Sequence, residues 1–113
     1  MYTSVDDIIQ NCLEPRLKDE CGRLGMPQSF VEDVYATFPK PLSYPSACEP
    51  IETDGKIRGV RIRISCEIRS PKQALRHFWH EMRPAKDYYD NKRPSGWKAA
   101  VYAWRRHLED VLR

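Results

Sequence analysis

The most constraining feature of the sequence is an Asp54-Gly55 pair followed by a long alternation of apolar and polar residues. An Asp-Gly pair between β-prone segments is the strongest short signal for a β-hairpin, so we expect strands near residues 48–53 and 56–68. Because successive side chains on a strand point to opposite faces, the second strand has one buried and one solvated face. Its apolar face comprises Val60, Ile62, Ile64, Cys66 and Ile68, and its polar face Arg61, Arg63, Ser65, Glu67 and Arg69.

Helical periodicity appears before this hairpin. Ser4 is a suitable N-cap for a helix that ends at Gly25, and Pro15, which lacks an amide donor, divides that helix into two pieces. Ser29 and Glu32 form a capping-box pattern, which predicts a short second helix within "PQSFVEDVYATF". Four prolines then favour an extended, meandering connection, at positions 39, 41, 45 and 50.

Two more helices are predicted after the hairpin, one opened by Ser70-Pro71 and one by Ser95. On the first, one face is expected to pack, through Leu75, Phe78, Trp79 and Met82. On the last, we expect a buried apolar stripe made of Trp97, Ala100, Val101, Trp104, Leu108 and Val111. Aromatic residues at helical spacing are more often core than a substrate-binding wall, and this applies to Tyr88, Tyr89, Trp97, Tyr102 and Trp104.

These elements define an α+β fold in a single domain, residues 1–113: an N-terminal helical region, a small sheet of about three strands, and two C-terminal helices. Ile57 is out of phase with the apolar face of its strand, so Gly59 is expected to mark a β-bulge. The length of 113 residues suits one hydrophobic core of modest size.

Composition narrows the class of protein without deciding its function. The sequence lacks an apolar run long enough to span a membrane, and its first residues lack the pattern of a signal peptide, so we expect a cytoplasmic protein without a membrane partner. The four cysteines form no C-x-x-C pair, which argues against a zinc ribbon or a thioredoxin-like site. The net charge of +3 permits an anionic partner but does not require one.

The helix that begins at Pro71 presents reactive side chains on the face opposite its apolar residues. At helical spacing, His77, His80, Glu81 and position 84 share a narrow sector. Two histidines one turn apart can bind one zinc ion, and a neighbouring glutamate can take a proton from a metal-bound water. Such a face can support metal-dependent hydrolysis when a further ligand comes from elsewhere. The alternative is that His77 and His80 are surface or half-buried helix residues and that Glu81 pairs with a lysine or arginine at helical spacing.

The segment "SPKQALRHFWHEMRPAKDYYDNKRPSGWKAAVYAWRRHLE", which follows the strand "GVRIRIS", resembles the minigluzincins, very small relatives of the gluzincin zinc peptidases. The resemblance covers roughly residues 56–113. It implies a zincin-like active-site helix under a small sheet, with the third zinc ligand, a glutamate, on a later helix. Carried over to this sequence, His80 is the first zinc ligand and Glu81 the catalytic residue that activates water.

The sequence departs from the family at two of the three ligand positions. Pro84 stands where the second histidine of His-Glu-x-x-His belongs; it offers no donor atom, and a proline inside a helix is expected to kink it. The segment from Gly96 to Trp104, where the family places its glutamate, contains no carboxylate. A rebuilt zinc site from His77, His80 and His107 is conceivable.

Two functional hypotheses follow. The first is a zinc metallopeptidase-like domain that binds a peptide or protein, with weak or no peptidase activity because of Pro84. The second is a small basic module that contacts nucleic acid through an arginine-rich face within residues 56–76, although charges on that face also suit the solvated side of an edge strand. Self-association into a homo-oligomer is a third, structural possibility. The basic residues concerned are Arg58, Arg61, Arg63, Arg69, Lys72 and Arg76.

Overall fold

A computed structural model describes residues 4–38 and 44–112 and has the predicted α+β fold. Its three-stranded mixed sheet comprises β1 (Val31–Thr37), β2 (Ser46–Thr53) and β3 (Lys56–Ser65), in the order β1-β3-β2. The central strand β3 runs parallel to β1 and antiparallel to β2. Strand β2 is therefore an edge of the sheet within the described part of the chain.

The N-terminal helix changes its hydrogen-bonding pattern before Pro15. It begins as α1 (Val5–Ile8), continues as a π-helical segment (Ile9–Leu13) and becomes α2 (Glu14–Leu24). Pro15 is the second residue of α2, which directly follows the π-helical segment, and it supplies no amide for an intrahelical hydrogen bond. The predicted ends are confirmed: the Ser4 hydroxyl accepts a hydrogen bond from the Asp7 amide, and Gly25 adopts the left-handed conformation, with φ of 73°.

The predicted second helix is wrong. Residues 28–30 form a single 3₁₀ turn (Gln28–Phe30), and the chain then becomes strand β1. Val31 and Val34 lie opposite Val60 and Ile62 of β3 and are buried with them. A nonlocal pairing that buries β-branched residues on both strands thus outweighs the local capping pattern of Ser29 and Glu32.

The predicted hairpin between β2 and β3 is confirmed. Asp54 and Gly55 both have positive φ, 55° and 76°, as the two central residues of a type I′ turn require. The pairing shifts register between Ile51 and Glu52, which lie opposite Gly59 and Ile57, so the predicted bulge is also present. Strand β3 ends at Ser65, three residues earlier than predicted, although Ile68 is still buried.

Helix α3 (Pro71–Tyr89) packs its predicted apolar face against the sheet. Ser70 caps it by accepting a hydrogen bond from the Gln73 amide, and the helix runs through Pro84 without ending there. The core lies between α3, the N-terminal helix and one face of the sheet. Fully buried side chains in it include Leu13, Val60, Ile62, Ile64, Phe78 and Met82.

Helix α4 (Gly96–Val111) is oriented differently from the prediction. Its apolar stripe was expected to be buried, but Trp97 is 70% exposed and Trp104 61% exposed, with Val101, Leu108 and Val111 also open to solvent. Of the aromatic residues predicted to be core, only Tyr88 and Tyr102 pack against it, and Tyr89 is exposed. The side of α4 that faces the domain carries the buried residues Ala99 and Arg106.

A buried ion pair explains this orientation. Glu20 of α2 is fully buried and accepts hydrogen bonds from Arg106 Nε at 2.8 Å, Tyr102 Oη at 2.6 Å and Trp79 Nε1 at 3.1 Å. A buried carboxylate is stable only when it is paired and hydrogen-bonded, and these donors satisfy it. Arg106 must therefore face inward, and the apolar stripe on the opposite side of α4 must face outward.

Candidate ligand-binding cleft

The three histidines of the sequence line one cavity. It has a volume of about 310 Å³ and lies between α3 and α4, beside the start of β2. Charged, aromatic and small side chains form its walls, and no carboxylate is among them: Tyr44, Arg76, His77, His80, Ala100, Ala103, Trp104 and His107. The residues that the sequence singled out as possible metal ligands thus surround the same space.

His77 is held by Ser46, the first residue of β2. The Ser46 hydroxyl lies 3.1 Å from His77 Nδ1 and donates its single proton to Glu81 Oε2 at 2.5 Å. Nδ1 of His77 must therefore be the protonated nitrogen that donates to Ser46, which leaves a lone pair on Nε2. Burial, together with nearby His80 and Arg76, lowers the pKa of His77 below its ordinary value, so this imidazole is neutral at pH 7.

Glu81 belongs to a buried hydrogen-bonded network and does not line the cavity. It is 5% exposed, and its Oε2 atom accepts from Ser46 and lies 3.3 Å from His80 Nδ1. Cys48 lies two residues after Ser46, on the same face of β2. Burial, followed by the charges of Glu81 and Glu49, raises the pKa of its thiol. The carboxylate that the resemblance assigns to water activation is thus held by the protein's own side chains.

Aromatic rings hold the other two histidines. Tyr44 contacts both His77 and His80, with ring centroids 5.5 and 5.6 Å apart, and Trp104 contacts His107 at 6.0 Å. Sequence reasoning missed Tyr44 and Ser46, because both lie in the proline-rich connection. No sequence pattern marked them, because the apolar Ala47 follows Ser46 and no alternation of polar and apolar residues reaches position 46.

The residues present do not fit a three-ligand zinc centre of the minigluzincin type. Within residues 4–38 and 44–112, no three side chains from His, Cys, Asp and Glu are grouped so that they could hold a metal ion. Pro84 offers no ligand atom, and Glu109 is engaged by Arg23 and Arg106 on the other side of α4. A zinc site built from His77, His80 and His107 alone stays an untested hypothesis.

Two residues of the arginine-rich face, Arg61 and Arg63, lie beside carboxylates on the sheet. Arg61 lies between Asp33 and Glu49 on the neighbouring strands, and Arg63 approaches Glu49 at 3.9 Å. At these two positions neighbouring carboxylates offset the positive charge, which reduces the attraction of Arg61 and Arg63 to a phosphate backbone. The nucleic-acid hypothesis for residues 56–76 stays a prediction that these contacts do not favour.

Comparisons with protein-family models, with curated proteins and with solved structures found no match. No helix in the described part of the chain is long and apolar enough to cross a membrane. The fold and the cavity therefore carry the functional argument: they define a small α+β domain with a histidine-lined cleft between its two C-terminal helices.

Proposed function

We propose that this chain is a metallopeptidase-like domain that binds a peptide or protein segment in the cleft between α3 and α4 and hydrolyses it weakly or not at all. The observation that carries the proposal is the convergence of His77, His80 and His107 on one cavity. The order of strand, His-Glu helix and final helix agrees with the resemblance to minigluzincins in the C-terminal half.

The walls of the cleft suit a peptide carrying an acidic group. Arg76 supplies a positive charge and the imidazoles supply hydrogen-bonding nitrogens, while Tyr44 and Trp104 offer flat apolar surface. The adjoining strand β2 pairs only with β3 within the described residues. Its outer edge can therefore accept an extended peptide through main-chain hydrogen bonds.

The contacts of Glu81 support the second half of the proposal. A general base must reach the proton that it abstracts, yet Glu81 lies in the buried network with Ser46 and His80. The helix position one turn after His80 is a proline. Peptide binding depends on the shape of the cleft, whereas hydrolysis depends on the residues at positions 81 and 84. Binding can therefore persist where hydrolysis is lost.

The test is retention of peptides from a random library on the immobilised protein, read by mass spectrometry. We expect the parent chain to retain a subset of peptides enriched in acidic residues and to release them uncut, with or without added zinc. His80→Ala and Arg76→Ala should each weaken retention at least about tenfold.

Arg58→Ala is the matched control, because Arg58 is an exposed arginine on the hairpin and does not line the cavity. It should retain peptides as the parent does. If the parent and both cleft variants retained peptides equally, the cleft would not be the peptide-binding site. Recovery of cleaved peptides would contradict the expected loss of hydrolysis.

A further inference from the structure

A stripe of five apolar residues runs along the solvent side of α4, and the fold leaves it unpaired within the described part of the chain. The stripe is on the opposite side of the helix from Arg106, which anchors α4 to the domain. We propose that it is the docking site for an amphipathic helix of a partner protein whose apolar face is flanked by acidic residues. We call it the α4 stripe: Trp97, Val101, Trp104, Leu108 and Val111.

The spacing of the α4 stripe points to a helical occupant. Its residues are separated by four, three, four and three positions, which is the repeat that places apolar side chains on the seam between two packed helices. At about 100° per residue, all five lie within about a quarter of the helix circumference. Two exposed tryptophans supply the large side chains that usually anchor an interface.

The charges beside the stripe specify the partner's flanks. Lys98 and Arg105 lie along one side, where they form a shallow cavity of about 160 Å³ with Arg83 of α3. Neither Lys98 nor Arg105 forms an ion pair with a described carboxylate. A partner with glutamates or aspartates at the matching positions would meet these two free cations.

The acidic residues of α4 do not oppose this arrangement. Glu109 lies on the same side of α4 as Arg105, four residues away, but its half-exposed carboxylate already pairs with Arg106 and Arg23. Asp110 lies beyond His107 on the other flank, in a small cavity that it shares with Lys72. On the side of the stripe that carries Lys98 and Arg105, the acidic residue Glu109 is therefore already paired, and the unpaired charges there, among the described residues of α4, are basic.

A second copy of the chain is a poorer occupant. In an antiparallel pair of α4 helices, Lys98 and Arg105 would face the same two residues of the other copy, and like charges repel. In a parallel pair, Arg105 would face Ala100, which offers no charge. Nucleic acid is also a poorer fit, because Val101, Leu108 and Val111 cannot stack on bases.

The test uses two synthetic amphipathic helices with the same leucine seam, one flanked by glutamates and the other by lysines. Isothermal titration calorimetry should show that the protein binds the glutamate peptide at least about tenfold more tightly than the lysine peptide. The preference should shrink as salt is added, since the flanking charges are exposed.

Charge reversal makes the test specific. The double variant Lys98→Glu, Arg105→Glu should bind the lysine peptide more tightly than the glutamate peptide. The double variant Trp97→Ala, Val101→Ser should bind both peptides more weakly than the parent does. Arg58→Glu, which changes charge on the distant hairpin, should keep the parent preference. None of the substituted residues lines the histidine cleft, and Trp104, which belongs to both the stripe and the cleft, is left unchanged. An exchanged preference therefore reports on the stripe and not on the proposed peptide-binding function.

Equal binding of the two peptides, or binding of neither, would overturn the proposal. So would a dimer in light scattering that the Trp97→Ala, Val101→Ser double variant abolishes, because the stripe would then be covered by a second copy. Tighter binding of single-stranded oligothymidine than of the glutamate peptide would overturn it in favour of nucleic acid.

Discussion

Glu20 shows how one buried side chain sets the orientation of a helix. Its partners Trp79, Tyr102 and Arg106 are 59, 82 and 86 residues away in the sequence. A periodicity argument assigns the apolar side of α4 to the core, and it cannot include an ion pair whose acidic member lies at the other end of the chain. This is why the burial of α3 was predictable and that of α4 was not.

Loss of this ion pair should destabilise the fold. Arg106→Ala leaves a buried carboxylate without its cation, so the free energy of unfolding should fall by about 3–5 kcal/mol. Glu109→Ala removes a carboxylate that is half exposed and should cost under about 1 kcal/mol. Urea denaturation of both variants checks the difference, and similar small losses would mean that Glu20 is satisfied without Arg106.

His77 should make stability depend on pH. Its pKa is lowered in the folded state, so the unfolded chain binds a proton first as the pH falls through the ordinary value of 6.5. The free energy of unfolding should therefore decrease between pH 6.5 and the lower folded pKa. His77→Gln keeps a donor for Ser46 but does not titrate, and it should flatten this decrease in urea titrations on both sides of pH 6.5.

At the scale of elements, pairing between strands, rather than the local sequence pattern, determines which segments join the sheet. The β2–β3 hairpin was predictable because Asp54-Gly55 and the alternation of β3 are both local. Strand β1 was missed because its identity depends on parallel pairing with β3, a contact between residues about 28 positions apart that a local reading does not contain. From the sequence alone, the local capping pattern at Ser29 and Glu32 was the only evidence for this segment, and it favoured a helix.

Two glycines of the sheet should fail in different ways when a methyl group is added. Gly55 has a positive φ and open space around it, so Gly55→Ala should cost about 1–2 kcal/mol of backbone strain and leave β1 in place. At Gly59 the added carbon would lie 2.9 Å from the Phe30 carbonyl oxygen, so β1 must move. Hydrogen exchange should show β1 amides losing protection in Gly59→Ala alone; equal loss in both variants would contradict this reading.

At the scale of the whole molecule, the sequence supplied the fold class and the three histidines, whereas their common cavity required the structure. His77 and His80 share a helix, but His107 reaches the cavity only because α4 is held by Arg106. Tyr44 and Ser46 complete the site from a segment whose prolines favoured a loop. The same orientation of α4 that brings His107 to the cleft also exposes the α4 stripe.

Zinc content most directly tests the claim that this is a metallopeptidase-like scaffold without a complete metal centre. Elemental mass spectrometry would be applied to protein purified without a tag or chelator, beside the Pro84→His variant, which restores a histidine one turn after His80. We predict far less than one zinc per chain in the parent and a clear gain in the variant. One zinc per chain in the parent, or no gain in the variant, would contradict the account.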